Sequence, residues 1–258
     1  PLMTKTPHPR AIEAATKYFL IQAAASATIL FSSTINAWLT GEWAINNLSH
    51  PAANIALTLA LAMKLGLAPV HFWLPEVLQG LTLQTGLILS TWQKLAPMAL
   101  LIQLADTTNL ILLMTIGITS TLLGGWGGIN QTQLRKVMAF SSIAHIGWMV
   151  TVLKFAPNIS LLNLLIYLVM TTAMFTTIIS LAAKKISDLA TAWPKTPALT
   201  ALSMLTLLSL GGLPPLSGFM PKWLIAQELI KQNLTAFATL ILLSTLLSLF
   251  FYLRLAYI

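Results

Sequence analysis

Long apolar stretches recur along the whole chain and are separated only by short polar connectors. A run of about 20 apolar residues is the length that crosses a hydrocarbon core. The backbone N–H and C=O groups of such a run find no water in the core, so the run must form an α-helix, whose hydrogen bonds are internal. The short alternating pattern of a membrane β-barrel is missing. The sequence therefore predicts an all-α fold, a polytopic membrane helix bundle.

The composition excludes several classes of function. Only 8% of the 258 residues are charged and 57% are apolar, whereas soluble chains carry about 25% charged residues. The net charge of +8 comes from scattered basic residues rather than from an aromatic and basic patch, so no nucleic-acid partner is expected. Cysteine is absent from the sequence, which removes thiolate ligation of iron–sulfur clusters. Any redox chemistry is expected in another chain.

About eight spanning segments are expected, within one integral membrane domain that covers residues 1–258. The connectors are too short for an extramembrane domain, so we expect the function to lie within the helices. The approximate bounds of the expected segments are 11–39, 53–78, 84–104, 109–126, 133–154, 160–183, 198–229 and 234–257.

Three lysines lie deep inside these segments, Lys64, Lys94 and Lys222. An ionised side chain at the centre of a bilayer costs several kcal/mol, so such residues indicate function. Lysine also gives up its proton readily when buried. Lys94 lies near the middle of the third segment, which is expected to be uninterrupted, at a depth from which its side chain does not reach the interface. The lysines are therefore candidates for proton uptake and release.

His145 is expected near the membrane midplane, because ten residues separate it from Arg135 at the start of the fifth segment. That distance is about 15 Å of helix. The near-neutral pKa of histidine suits a proton relay, although a single histidine in a bundle is more often a hydrogen-bonded packing residue. Ser141 and Ser142, one turn earlier, are candidate partners for such a bond.

The second and seventh segments are too long for one simple crossing, and both are interrupted. Lys64 stands just ahead of Gly66 and Pro69, and Lys222 stands just beyond the run Gly211–Pro215. Proline and glycine also kink membrane helices for packing alone. Matching interruptions in two halves of a membrane protein nevertheless point to an ion pathway, because the freed carbonyls line a polar cavity. Two breaks with adjacent lysines favour this second interpretation.

Three stretches in this order, 64–75, 133–147 and 211–219, resemble the antiporter-like membrane subunits of respiratory complex I. The stretches 124–128 and 219–223 are similar to one vertebrate mitochondrial member of that family. The resemblance covers essentially the whole chain. It implies a bundle with two inverted repeats of five helices, each containing one broken helix.

The resemblance also implies a function, proton translocation driven by quinone reduction elsewhere in the complex. The central lysines of the family match Lys64, Lys94 and Lys222, and its central histidine positions match His71 and His145. Lys64, Lys94, His145 and Lys222 would form the relay, with supporting residues His71, Pro69, Gly211, Pro214 and Pro215. The implied partners are other membrane subunits, among them neighbouring antiporter-like subunits, together with lipids and protons. FMN, iron–sulfur clusters and ubiquinone would be bound elsewhere in the complex, and the location would be the mitochondrial inner membrane.

Two alternatives remain open, a cation/proton antiporter subunit and a structural membrane subunit whose lysines form buried ion pairs. The second requires acidic partners, yet only Glu228 lies within two turns of one of these lysines. The family also has a glutamate, on an upstream helix, that pairs with the lysine matched by Lys64. That helix would precede Pro1, so we expect the sequence to be an internal fragment.

Overall fold

Proline starts four of the long helices of the chain. In the computed structural model, which describes residues 2–4 and 8–257 with only the backbone at position 47, proline occupies the first turn of α1, α2, α8 and α10. The missing N–H of proline costs nothing there. The described residues contain no strand, only an isolated bridge between Gln133 and Lys185. The helices are α1 (Pro9–Thr40), α2 (Pro51–Leu65), α3 (Trp73–Gly80), α4 (Leu83–Ser90), α5 (Trp92–Gln103), α6 (Leu110–Ile129), α7 (Leu134–Val152), α8 (Pro157–Ser180), α9 (Ile186–Ala190), α10 (Pro197–Gly211), α11 (Phe219–Lys231) and α12 (Thr235–Tyr257).

In the described part of the chain, four helices are by themselves long and apolar enough to cross a membrane, α1, α6, α8 and α12. Helix α7, with 19 residues, is about 28 Å long. The predicted second segment is divided into α2 and α3, and the predicted seventh into α10 and α11. Both predicted helix breaks are therefore confirmed. The count of eight crossings and the single domain stay predictions.

The two predicted breaks have the same backbone geometry. Gly66 ends α2 and Gly212 ends α10, both in the left-handed conformation, with φ of 75° and 80°. In each case the glycine N–H bonds the carbonyl three residues back, and the next N–H bonds the carbonyl five residues back. This is the Schellman arrangement, which favours glycine. It leaves the last two carbonyls of each helix free, those of Lys64 and Leu65 in α2 and those of Leu210 and Gly211 in α10.

A third break divides the segment that was expected to be uninterrupted. Helix α4 ends at Ser90 and α5 begins at Trp92. The hydroxyl groups of Ser90 and Thr91 both donate to the carbonyl of Leu87, at 3.0 and 2.7 Å, and such side-chain bonds compete with the helix ladder. The N–H of Lys94 bonds Thr91 rather than Ser90. Lys94 therefore lies in the first turn of a new helix, beside a freed carbonyl.

The two Schellman breaks are expected in helices that run in opposite directions. With each predicted segment counted as one crossing, five crossings separate the second segment from the seventh, and an odd number reverses the direction of the chain. The described helices agree with the inverted repeats that the resemblance implied.

Glycines allow α6 and α7 to pack closely in the centre of the bundle. A Cβ atom on Gly147 would lie 2.9 Å from the backbone oxygen of Gly117, and one on Gly117 would lie 2.2 Å from the side chain of Thr151. Small residues at helix interfaces let backbones approach one another in membranes. Helix α7 is consequently buried along nearly its whole length, and it carries His145 into the interior.

Candidate functional site, a buried cluster of lysines and histidine

The break between α10 and α11 binds the ammonium group of Lys222. The Lys222 side chain is buried, and its Nζ donates to the carbonyls of Gly211 at 2.9 Å and Leu210 at 3.3 Å. These are the two carbonyls that the Schellman turn leaves free. A Cβ on Gly212 would lie 2.8 Å from the same Nζ. The glycine therefore provides both the turn and the room for the ammonium group.

His145 lies between two buried lysines. Its imidazole is 5% exposed and interacts with the Leu210 carbonyl that also accepts from Lys222. Lys222 is therefore linked to His145 through one carbonyl, whereas Lys94 and His145 both face the ring of Tyr167. The prediction that Ser141 and Ser142 bond this histidine is wrong. Ser141 is bonded to the hydroxyl of Tyr252, and Ser142 donates to Ala139 and lies near Tyr167.

Lys94 is buried against an aromatic ring. Its side chain is 2% exposed and its Nζ lies 5.9 Å from the ring centroid of Tyr167. The Tyr167 ring is itself 5.6 Å from the His145 ring, and its hydroxyl donates to the Ser90 carbonyl at 3.1 Å. Tyr167 therefore contacts the lysine, the histidine and the carbonyl freed at the third break.

The cluster lies at mid-depth in the bundle. His145 is the twelfth of the 19 residues of α7, and Tyr167 is the eleventh of the 24 residues of α8. Either position is more than about 15 Å from the start of its helix. Helices α5, α7, α8 and α11 each supply one of the four side chains of the cluster.

Lys64 and His71 lie apart from these four residues. Lys64 is half-buried in the last turn of α2, where its carbonyl accepts from the side chain of Gln22 at 3.5 Å. His71 is 4% exposed within the first break and stacks on Phe72 at 4.3 Å between ring centroids. Within residues 8–257, no hydrogen bond or ring contact connects either side chain to Lys94, His145 or Lys222.

The three supporting prolines lie in the breaks themselves. Pro69 in the first break and Pro214 and Pro215 in the second are exposed, and they follow the left-handed glycines. Gly211, the remaining supporting residue, is the last residue of α10 and contributes its carbonyl to Lys222. These residues shape the breaks, and two of them contact protonatable side chains: the backbone of Pro69 bonds His71, and that of Gly211 bonds Lys222.

Acidic residues do not neutralise the buried lysines. All six are described, and none forms an ion pair with Lys64, Lys94 or Lys222. Glu228, the candidate partner of Lys222, instead lies 3.4 Å from Lys231. Glu13 instead pairs with Lys17 at 2.6 Å, and Glu76 lies at the same distance from Lys17.

Two parts of this cluster were not predicted. Tyr167 lies in a uniformly apolar segment where nothing in the sequence separates it from a packing residue. The third break had a weak signal, the consecutive hydroxyl residues Ser90 and Thr91, four and three residues before Lys94. Hydroxyl residues in a helix usually bond the preceding turn without breaking it, so this signal alone does not predict an interruption.

The fold and the cluster define a class of protein, a polytopic membrane bundle with antiporter-like broken helices and buried protonatable groups. The sequence profile of the transmembrane family of NADH:quinone oxidoreductases and Mrp antiporters matches residues 2–248. The chain belongs to this family.

Curated relatives are similar over the full length of the chain. NADH-ubiquinone oxidoreductase chain 2 of Xenopus laevis is 68% identical over 258 residues, which are 100% of this chain and 75% of the relative. The protein of the same name from Salmo salar is 65% identical over 257 residues, 100% of this chain and 74% of the relative. The chain thus spans about three-quarters of these relatives.

Solved structures share the fold. A chain of respiratory complex I from Thermus thermophilus with bound aureothin superposes with a TM-score of 0.90 at 30% identity, over 99% of this chain and 61% of that chain. A chain of the Mrp complex from Dietzia sp. DQ12-45-1b superposes with a TM-score of 0.84 at 19% identity, over 96% of this chain and 50% of that chain. The second likeness concerns the fold alone.

Proposed function

We propose that this chain is a proton-translocating membrane subunit of NADH:ubiquinone oxidoreductase in the mitochondrial inner membrane. One observation carries the proposal. A buried imidazole, that of His145, shares the Leu210 carbonyl with the buried Lys222 and the Tyr167 ring with the buried Lys94. Buried ionisable groups in a membrane bundle mark proton and ion pathways.

The chemistry of these groups suits proton transfer. A neutral imidazole accepts a proton at one ring nitrogen and donates from the other, so His145 can receive a proton on the side of one lysine and release it toward the other. Lys222 in its charged form is stabilised by two carbonyls of the broken helix. In a low-dielectric interior a charge on one lysine acts strongly on its neighbours. Protonation of one group therefore favours release of the proton from its neighbour.

Lys64 is proposed as the uptake group. It is half-buried at the end of α2, apart from the other members of the relay. Quinone reduction in other subunits would drive the transfer. FMN, iron–sulfur clusters and ubiquinone would bind in those subunits, with neighbouring antiporter-like subunits and lipids as the partners of this chain.

The two alternatives have less support. A structural role for the lysines requires buried counter-charges, and none of the six acidic residues provides one. An unpaired buried charge is costly, so a purely structural chain gains nothing from two such lysines. The antiporter alternative is supported only at the level of the fold, whereas the relatives named as chain 2 of NADH-ubiquinone oxidoreductase are 65–68% identical.

Single replacement of Lys64, Lys94 and Lys222 by alanine in the assembled complex tests the proposal. We expect each variant to lower the number of protons pumped per NADH oxidised. Lys195→Ala, in an exposed loop, is the matched control and should pump normally. Normal pumping by all three variants in fully assembled complexes would contradict the proposed proton relay.

A further inference from the structure

Lys94 differs from Lys222 in how its ammonium group is accommodated. The Nζ of Lys222 has two carbonyl acceptors. The Nζ of Lys94 is equally buried, but no acceptor among the described residues lies within hydrogen-bonding distance of it. The group that it does face is the ring of Tyr167, whose centroid is 5.9 Å away. The aromatic ring therefore takes the place that carbonyls take at Lys222.

The ring of Tyr167 is fixed from several sides. The side chain is fully buried, and its hydroxyl donates to the Ser90 carbonyl at 3.1 Å and lies near Ser142. The Ser90 carbonyl is available because the third break redirects the N–H of Lys94 to Thr91. The break that starts the helix of Lys94 thus also anchors the ring that faces its side chain.

An aromatic face attracts an ammonium group and has little attraction for a neutral amine. The attraction is electrostatic, extends to about 6 Å from the ring centroid and is strongest where water is excluded. Tyr167 therefore favours the protonated form of Lys94 over the neutral form. We propose that Tyr167 is a positioning residue for proton transfer, holding the protonated side chain of Lys94 against its ring next to His145. This inference rests on the proposed function.

Other charged and titratable groups around Lys94 are left in place when Tyr167 is replaced. They are His145 on α7 and Lys222 on α11. The neighbouring helices also carry Lys64, on the helix α2 that packs against α5, and Tyr18, whose phenol donates to Gln93 at 3.3 Å. A change in the pH dependence of pumping that follows replacement of Tyr167 can therefore be assigned to loss of its ring. Phe175 offers a matched control, because it is fully buried on the same helix.

The test measures protons pumped per NADH oxidised against pH in assembled complexes carrying Tyr167→Leu, Tyr167→Met, Tyr167→Phe or Phe175→Leu. Loss of the ring should lower the pH at which pumping fails on the alkaline side by about half a unit to one unit. We expect this shift for the leucine and methionine variants, of which methionine adapts better to the vacated space. Tyr167→Phe keeps the ring and should follow the unmodified complex, as should Phe175→Leu.

Two results would overturn the inference. In one, the leucine or methionine variant leaves the alkaline limit unchanged while Lys94→Ala abolishes pumping. In the other, Tyr167→Phe shifts the limit as far as the loss of the whole ring does, which would assign the effect to the hydroxyl. Normal pumping by Lys94→Ala is a different result, because it would contradict the proposed function of Lys94 in the relay and not only the role of Tyr167.

Discussion

Glu76 and Lys222 occupy the same position in the two matching breaks, ten residues beyond the left-handed glycines Gly66 and Gly212. Their charges are opposite, and their side chains bind different partners. Lys222 points back into the break and binds its two free carbonyls, whereas Glu76 is exposed and bonds Lys17 on α1. A carboxylate has no proton to donate to carbonyls. Glu76 therefore cannot bind the free carbonyls of the first break as Lys222 binds those of the second. The two repeats thus use one backbone geometry with different chemistry.

Replacing Lys222 by methionine should destabilise the subunit and stop pumping. The Gly211 carbonyl would lose its donor while the Leu210 carbonyl keeps its interaction with His145, and an unsatisfied buried polar group costs about 1–3 kcal/mol. Thermal inactivation of the assembled complex measures the loss of stability. Lys231→Met removes an exposed lysine on the same helix and should leave both properties near normal. Equal effects of the two replacements would contradict the assigned role of Lys222.

Gly212→Ala should impair pumping more than Gly66→Ala. Both glycines have positive φ, so alanine strains both turns by about 1–2 kcal/mol. Only at Gly212 would the new Cβ also lie 2.8 Å from the ammonium group of Lys222, because at Gly66 the nearest atoms are in ordinary contact at 3.4 Å. Thermal stability should therefore fall similarly in the two variants while protons pumped per NADH separate them. Indistinguishable pumping would show that the Lys222 position tolerates displacement.

Gly147→Ala should weaken the bundle by about 1–3 kcal/mol. The added methyl group would meet the backbone oxygen of Gly117 at 2.9 Å, and helices α6 and α7 would have to separate. Gly211→Ala is the control, since its methyl group would find the nearest atom of Tyr252 at 3.6 Å in ordinary contact. The temperature at which the complex loses activity compares the two variants. A lower temperature for Gly211→Ala than for Gly147→Ala would contradict the predicted packing.

Asp188 should anchor the loop between α8 and α10 in a pH-dependent manner. Its carboxylate accepts the backbone N–H groups of Lys185 and Lys184, both at 2.8 Å, and these bonds hold the pKa of Asp188 below its usual value. Because the folded pKa is depressed, the stabilisation is present above the unfolded pKa and is lost as the pH falls through the folded pKa.

Amide hydrogen exchange in the loop measures this anchor. At neutral pH the amides of Lys184 and Lys185 should exchange faster in Asp188→Ala than in the unmodified chain, and the difference should narrow in acid. Asp106→Ala, which removes an exposed carboxylate elsewhere, should not change these two amides. Equal protection at neutral pH in the presence and absence of Asp188 would rule the anchor out.

Much of the architecture could be predicted from the sequence because the bilayer leaves few choices. The apolar runs can form only helices in lipid, and the glycine and proline runs at 66–69 and 211–215 mark breaks that the structure confirms. The break at Thr91 was missed, because the residues around it have no such run. It depends on hydroxyl groups that bond the Leu87 carbonyl, a competition that local sequence does not decide.

The sequence alone indicated which residues lie within the membrane-spanning segments and which of them are candidates to carry protons, since composition and spacing establish depth. It placed Lys94, His145 and Lys222 at mid-depth on separate helices. Only the tertiary structure decided that Lys222 and His145 share the Leu210 carbonyl, that Tyr167 contacts both Lys94 and His145, and that Lys64 and His71 lie apart. The reason is physical. Hydrophobic length sets how deep a residue lies, whereas the direction of a side chain around its helix depends on close packing such as that of Gly117 against Gly147.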